Sequence, residues 1–167
     1  MKDTVIRTLE AKDNAALAAI IRGALEEFGA ARPGTVYFDK TTDDLYGLFT
    51  GMPRSVYYVA ERGGKVIGGA GIFPTEGLPG DTCELVKMYL QPVARGIGLG
   101  KRLIKDCIAF AKEAGYATIY LESMPELKQA LKIYEKFGFE YLDAPMGASG
   151  HTGCSLWMAG KVEGLVH

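Results

Sequence analysis

Residues 83–100 read CELVKMYLQPVARGIGLG, and this stretch decides the fold class. Its first half, 83–90, is rich in apolar and aromatic residues, which is typical of a buried β-strand. Its second half contains Gly96, Gly98 and Gly100, and glycine at alternate positions lets a loop curl tightly and point several backbone N–H groups in one direction. The stretch therefore predicts a strand followed by a loop that can bind an anion.

Apolar residues continue after this loop at the spacing of an amphipathic helix, which Gly115 ends. Its predicted inward face consists of Leu99, Leu103, Ile104, Cys107, Ile108 and Ala111. A helix N-terminus carries free N–H groups and the positive end of the helix dipole. Arg95 and Lys101 would add positive charge, so this loop suits a pyrophosphate.

The rest of the chain alternates between strand and helix patterns. Further strands are predicted at 5–9, 55–61, 65–74, 118–122, 139–143 and 154–161. Further helices are predicted from Asp13 to Gly29, around Leu45, Leu48 and Phe49, and from a capping box of Ser123 and Glu126 to Gly138.

These elements predict a mixed sheet. A strand, helix, strand crossover over 83–122 makes its two strands parallel, whereas 55–61 and 65–74 form an antiparallel hairpin. We expect the α/β (α+β) class, with about six to seven strands flanked by about four helices. A length of 167 residues suits one domain, 1–167.

Composition narrows the classes of partner. The net charge of −1 gives no general attraction to nucleic acid or to an anionic membrane. No apolar run approaches the roughly 18 residues of a spanning helix, and the start of the chain lacks a signal-peptide segment, so we expect a cytoplasmic protein. Cys83, Cys107 and Cys154 are widely spaced and have no metal-ligand pattern, so no metal is expected.

The glycine-rich loop alone leaves alternatives open. It could be a tight strand-to-helix turn without a ligand. A dinucleotide-binding fingerprint is disfavoured, because that motif belongs in the first βαβ unit of a chain, whereas this loop lies past mid-chain after an antiparallel hairpin.

The sequence resembles the GNAT N-acetyltransferase superfamily. The family signature is Gln or Arg, two residues, Gly, one residue, then Gly or Ala, which Arg95, Gly98 and Gly100 match. The preceding strand is similar to the family's KMYLxPxxRGxGxG form, and 130–139 is similar to its A-x-x-x-Y-x-K-x-G-F element. With the order of strands and helices, the resemblance covers nearly the whole chain.

The resemblance implies acetyl-CoA as co-substrate. It assigns cofactor contacts to the end of the strand, to the glycine-rich loop and to the first helical turn: Met88, Leu90, Arg95, Gly96, Gly98, Gly100 and Lys101. It also implies that the Tyr134 hydroxyl protonates the departing thiolate, although helical spacing alone allows a core aromatic. Many relatives have Asn at the position of Leu127, so that cofactor contact is in doubt.

An amine substrate has a pKa near ~10.4 and needs a proton acceptor before it can attack. Glu84 is the first candidate, because some family members carry a catalytic glutamate at this register. Glu122 at the end of the adjacent strand and His151 in the glycine-rich loop 144–153 are candidates on the substrate side. Glu84 could equally be a solvated carboxylate on the strand face, and Glu122 could simply begin the Ser123 capping region. His151 could be a surface residue of its loop, and His167 is assigned no role.

The resulting hypothesis is direct transfer of acetyl to a primary amine, with a small molecule as the partner. Acidic residues in or near the variable segment, Glu26, Glu27, Asp39, Asp43 and Asp44, mildly favour a cationic acceptor. The alternatives are acetylation of a protein N-terminus or lysine, and a catalytically silent acyl-CoA-binding module. A homodimer is compatible with the sequence.

Overall fold

The structure, a computed structural model, describes residues 3–165. The strands are β1 (Thr4–Thr8), β2 (Val56–Arg62), β3 (Lys65–Phe73), β4 (Thr82–Leu90), β5 (Thr118–Ser123), β6 (Glu140–Leu142) and β7 (Leu156–Lys161). The α-helices are α1 (Asn14–Glu27), α2 (Leu45–Thr50), α3 (Leu99–Glu113) and α4 (Lys128–Phe137). The predicted mixed α/β fold is confirmed, with seven strands and four helices among the described residues.

One sheet contains all the described strands, in the order β1-β2-β3-β4-β5-β7-β6. Only β4 and β5 pair in parallel, as the crossover predicted, and β2 and β3 form the predicted hairpin. Because α3 connects the two parallel strands, the glycine-rich loop lies at the carboxyl end of β4, in the middle of the sheet.

The helices cover the two faces of the sheet and bury two apolar clusters. α1 and α2 pack on one face, where the fully buried residues include Leu17, Ile21, Leu45, Tyr57 and Val59. α3 and α4 pack on the other, where the buried residues include Leu103, Ile104, Cys107, Ile119 and Leu131. Each fully buried leucine or isoleucine side chain contributes about 1.5–3 kcal/mol, so both faces hold the sheet in place.

Two predicted helix starts are made differently from the expectation. Asp13 does precede α1, but its carboxylate accepts hydrogen bonds from Arg7 at 2.8 and 2.9 Å instead of capping the helix. The predicted capping box of Ser123 and Glu126 is wrong: α4 begins at Lys128, because Ser123 ends β5 and Glu126 pairs with Arg32 at 2.7 Å.

Candidate active site

The central feature is a split between the two parallel strands. β4 and β5 pair only where Thr82–Glu84 lie opposite Thr118–Tyr120, and the rest of β4 has no partner strand on that side among residues 3–165. A cleft of about 290 Å3, here called the sheet cleft, opens at the split. Its lining includes the predicted residues Met88, Leu90, Arg95, Gly96, Gly98, Gly100, Lys101, Glu122 and Tyr134, and also Leu127.

The glycine-rich loop forms one end of the sheet cleft. Gly96 and Gly98 have positive φ angles of 76° and 82°, a conformation that glycine adopts without strain. A Cβ at either position would meet no atom within 4 Å, so there is open space beside the backbone. α3 begins directly after Gly98, which directs its free N–H groups towards this space. Such a loop can receive an anion.

The guanidinium of Arg95 contacts the protein rather than the open space. Its nitrogens donate to the Leu90 carbonyl at 2.9 and 3.2 Å and to Glu27 at 2.6 Å, and it lies 4.8 Å from the centre of the Phe28 ring. In this position Arg95 ties the loop to β4 and α1. Lys101 lies in the first turn of α3, is exposed, and leaves a cation beside the loop.

Tyr134 lies on the α4 side of the sheet cleft. Its ring is buried and packs edge-on against Phe139, with 6.0 Å between the ring centres. Burial raises the pKa of Tyr134 above its usual value, so the hydroxyl keeps its proton at neutral pH. No described residue forms a hydrogen bond with this hydroxyl. Every fully buried polar side-chain atom of the described residues does have a hydrogen-bond partner, so the Tyr134 oxygen is not fully buried. The hydroxyl is therefore open to the cleft.

A second, smaller cavity of about 40 Å3, here called the inner pocket, adjoins the sheet cleft. The two share the lining residues Leu85, Lys87, Tyr89, Glu122, Ser123 and Leu127. Glu84, His151 and Cys154 line the inner pocket alone. The structure therefore brings Glu84, Glu122 and His151 together, although they come from β4, β5 and the loop before β7.

Glu84 is a buried carboxyl with one hydrogen-bond donor. Thr75 Oγ1 donates to Glu84 Oε1 at 2.5 Å. The pKa of Glu84 is raised to about 7, chiefly by burial and to a smaller extent by the neighbouring Glu122 carboxylate, while the hydrogen bond from Thr75 opposes the shift. A carboxyl with this pKa exchanges a proton readily near neutral pH, which is the property of a general base.

Glu122 lies in a hydrogen-bond network that favours its charged form. Tyr120 and Ser149 each donate to its carboxylate at 2.6 Å, and His151 Nδ1 lies 3.7 Å away. Burial raises the pKa of Glu122, but the nearby His151 ring and the hydrogen bonds from Ser149 and Tyr120 outweigh burial and hold it below its usual value. Glu122 therefore stays a carboxylate, unlike Glu84.

His151 bridges two acidic residues. Its Nε2 lies 2.7 Å from Asp39 Oδ2, and its Nδ1 faces Glu122. The contacts with Asp39 and Glu122 raise the pKa of His151 to about 9, against the opposing effect of burial. The ring is thus protonated near neutral pH and has no lone pair to accept a proton, which favours Glu84 over His151 as a base.

Sequence reasoning named Asp39 only as one of five acidic residues. The other four are engaged outside the inner pocket: Glu26 with Tyr37, Glu27 with Arg95, Asp43 with Arg22, and Asp44 with Asn14 and the N-terminus of α2. Of these five residues, only Asp39 therefore still supports a cationic acceptor. The sequence patterns assign no role to Lys87, Tyr120, Ser149 or Thr75, although Lys87 begins the KMYLxPxxRGxGxG motif.

The cysteines are free, and their surroundings suppress ionisation. Burial raises the pKa of Cys83 and of Cys154 to about 12, and raises that of Cys107 well above its usual value. Residues 3–165 hold no group of three histidine, cysteine or acidic side chains placed to bind a metal ion. Within the same residues no helix has the length and apolarity to cross a bilayer.

Comparison with known proteins identifies the family. The family model described as acetyltransferase (GNAT) family matches residues 18–139. The chain is 41% identical over 155 residues, 92% of each chain, to the uncharacterized N-acetyltransferase YjgM of Escherichia coli K12. The family match spans most of the chain.

Two solved structures have the same fold. A GNAT-family acetyltransferase from Staphylococcus aureus Mu50 is similar with a TM-score of 0.82 at 17% identity, over 95% of this chain and 99% of that one. YncA, a putative acetyltransferase from Salmonella typhimurium solved with its cofactor acetyl-CoA, has a TM-score of 0.73 at 22% identity, over 95% and 94%. The chain belongs to the GNAT family of acetyltransferases and is an acyltransferase.

Proposed function

We propose that the protein transfers acetyl from acetyl-CoA to the primary amine of a small molecule, by direct attack within a ternary complex. One observation carries this proposal: a buried carboxyl, Glu84, has a pKa raised to about 7 by burial and lies in a pocket that adjoins the sheet cleft. A base is thus held beside the place where a long cofactor would end.

The sheet cleft fits coenzyme A. Gly96 and Gly98 leave open space at the N-terminus of α3, which suits the pyrophosphate, and the unpaired edge of β4 at Met88 and Leu90 suits the amides of the pantetheine arm. Acetyl-CoA supplies an acetyl group activated as a thioester. The acetyl-CoA in the YncA structure supports this choice of co-substrate.

The residues where the sheet cleft meets the inner pocket have different roles in proton transfer. Glu84 takes a proton from the acceptor ammonium, since its pKa of about 7 lies near the working pH. Glu122 stays charged beside it and favours a cationic nitrogen in the inner pocket. The Tyr134 hydroxyl keeps its proton and faces the sheet cleft, so it can donate to the leaving sulfur.

Two observations support a small acceptor and direct transfer. The inner pocket measures about 40 Å3 and has Thr35, Val36 and His151 in its lining, and this small volume suits a small molecule better than a protein segment. The raised pKa values of Cys83, Cys107 and Cys154, caused by burial, leave no thiolate to carry an acetyl group at neutral pH. The free cysteines also suit a reducing compartment, so a cytoplasmic location is part of the proposal.

The proposal is tested by release of free thiol from acetyl-CoA across a panel of polyamines, amino acids, aminoglycosides and peptides. We expect turnover when a small amine is the acceptor, and no turnover when the acceptor is a peptide. Tight coenzyme A binding without any turnover would instead indicate the silent module. After incubation with acetyl-CoA alone, the intact mass should be unchanged, and a kinetically competent acetyl adduct on a cysteine would replace direct transfer by a two-step mechanism.

A further inference from the structure

Lys87 has an unusual backbone conformation in the middle of β4. Its φ angle is +52°, and Arg54 is the other non-glycine residue with a positive φ among residues 3–165. The left-handed conformation costs a residue with a side chain about 1–2 kcal/mol, and it persists only where the surroundings hold it. Such positions are concentrated at functional sites.

The surroundings of Lys87 are built to hold this conformation. The hydroxyl of the fully buried Tyr57 donates to the Lys87 carbonyl at 2.7 Å. Tyr57 can lie across β3 because Gly69 and Gly71 lack side chains, and a Cβ at either position would collide with its ring. The pairing of β3 with β4 shifts register between these two glycines, which is a β-bulge.

The bulge changes the direction in which the side chains of β4 point. Leu85, Met88 and Leu90 pack with the cluster under α3, whereas Val86 and Tyr89 pack with the cluster under α1. The alternation of a regular strand therefore skips one residue at Lys87. A regular strand would place this lysine with Leu85 against the apolar cluster under α3. Instead it lines both the sheet cleft and the inner pocket.

The Lys87 ammonium has no partner among residues 3–165, in hydrogen bonds or ion pairs. It is close enough to Asp39, Glu84 and His151 to affect their pKa values, but it pairs with none of them. Burial lowers the pKa of Lys87, and the carboxylates of Asp39 and Glu84 partly oppose this effect. An unpaired ammonium in such a place is costly, and a ligand with a negative charge would relieve the cost.

We infer that the acceptor carries a carboxylate next to its amine, and that Lys87 binds this carboxylate while Glu84 and Glu122 receive the amine. The inference rests on the proposed function and names its substrate class: free amino acids. The pantetheine arm of coenzyme A is uncharged, so the cofactor does not explain a cation at the junction of the two cavities.

The chemistry of the inner pocket favours one negative charge over several. Lys87 is a single cation, whereas Asp39, Glu84 and Glu122 would repel a phosphate dianion. The protonated His151 is already shared between Asp39 and Glu122. A polyamine would leave Lys87 facing another cation, and a peptide N-terminus has an amide where an amino acid has its carboxylate. The zwitterion of an amino acid complements both signs of charge.

The test compares three amines with the same side chain: the free amino acid, its primary carboxamide and the decarboxylated amine. The amine of the carboxamide is less basic than that of the amino acid, and the decarboxylated amine is more basic. A preference for the amino acid over both analogues therefore cannot come from the basicity of its amine. For the parent protein we expect kcat/KM to be about ten- to hundredfold higher for the amino acid than for either analogue, as for one hydrogen bond to a charged group.

Lys87→Met keeps an unbranched side chain of nearly the same length and removes its charge. In this variant the three amines should be acetylated within about threefold of one another, because the amino acid alone loses an interaction. Lys87→Arg should keep a preference for the amino acid. Calorimetry of coenzyme A checks that the variant still binds the cofactor. Its thermal midpoint should be no lower than that of the parent, because the variant no longer holds an unpaired ammonium. Calorimetry of the amino acid with coenzyme A present should show weaker binding to Lys87→Met.

Equal kcat/KM values for the three amines in the parent would overturn the inference and leave the proposed function standing. The same holds if polyamines are the best substrates, or if Lys87→Met keeps the preference of the parent. The comparison within the parent decides the matter even if the variant fails to fold. If none of the amines is acetylated, the proposed function is wrong, and the inference fails with it.

Discussion

The sheet cleft and the inner pocket lie side by side but are built in different ways. One continuous stretch, 85–101, forms most of the sheet cleft with backbone groups and apolar side chains, and α4 closes it. The inner pocket depends on polar side chains from distant parts of the chain, among them Asp39, Glu84, Glu122 and His151. A backbone site tolerates side-chain variation, whereas a side-chain site determines specificity.

The largest effect is expected where the backbone site is blocked. Gly98→Asp places a side chain and a negative charge in the open space at the N-terminus of α3. It should weaken coenzyme A binding by about a thousandfold or more, since it adds both bulk and repulsion where an anion is proposed to bind. Calorimetry with acetyl-CoA measures this loss.

Gly64→Asp is the matched control, because Gly64 shares the local geometry of Gly98 but lies in the β2–β3 turn. Its φ is 80° against 82°, and a Cβ there also meets no atom within 4 Å. Both variants should lose similar stability, about 1–3 kcal/mol from the strained conformation. If the folded Gly98→Asp binds acetyl-CoA as Gly64→Asp does, the proposed cofactor site is misplaced.

The contrast between the two sites also explains what the sequence could predict. The order of elements, the parallel pair and the glycine-rich loop follow from local periodicity and turn residues between 83 and 122. The predicted capping box of Ser123 and Glu126 failed because a tertiary contact, the pairing of Glu126 with Arg32, replaced a local one. Local patterns therefore predicted elements better than their exact ends.

The inner pocket was only partly predictable for the same reason. Glu84, Glu122 and His151 were named from the family resemblance and from position, but nothing local indicates that Asp39 meets His151 across 112 residues of sequence. The bulge at Lys87 depends on Tyr57 and on two glycines of another strand. A strict alternation in β4 would place Lys87 on the wrong face.

The second prediction separates the two carboxyls of the inner pocket. Glu84→Gln should lower kcat by about a hundred- to ten-thousandfold at pH 8, because it removes the proposed base. In the parent, kcat/KM should rise with pH through about 7, where Glu84 loses its proton. The variant should lack this rise. Initial rates of thiol release from pH 5.5 to 9 measure both effects.

Glu122→Gln is the matched control for this profile. Its carboxyl already has a lowered pKa, caused by hydrogen bonds that outweigh burial, so it does not titrate near pH 7. This variant should be slower than the parent but keep the rise, with its midpoint moved to lower pH because the Glu122 charge no longer raises the pKa of Glu84. A rise of the same size in Glu84→Gln would assign the base to another group.

The third prediction returns to the sheet cleft. Tyr134→Phe keeps the ring that packs against Phe139 and removes only the hydroxyl that is open to the cleft. If Tyr134 is the general acid, the variant should lose roughly ten- to ten-thousandfold in kcat and keep nearly the same affinity for acetyl-CoA. The range is wide because water can partly replace the missing hydroxyl. kcat, affinity and thermal midpoint are measured on one preparation. Undiminished kcat with chemistry rate-limiting would make Tyr134 a core aromatic only.

The smallest effect concerns His151, which we expect to hold the inner pocket together rather than to react. Its folded-state pKa of about 9, raised by Asp39 and Glu122, lies above its ordinary value of 6.5. The stability that it contributes should be complete below about pH 6.5 and should be lost as pH rises through about 9. His151→Gln should therefore unfold at a lower temperature than the parent near pH 6.

The size and the pH dependence of this difference test the role of His151. We expect about 1–3 kcal/mol near pH 6, or roughly 2–12 °C in thermal midpoint, shrinking by pH 10. Glu84 and Lys87 interact electrostatically with His151, so the difference between the two curves reports the coupled cluster around the ring and not the imidazole in isolation. Arg22→Gln is the control, because it breaks the surface ion pair with Asp43, in which neither group titrates between pH 6 and 10. The difference in thermal midpoint between this variant and the parent should be the same at every pH in that range. A constant difference for His151→Gln as well would show that its ring does not gain a proton on folding.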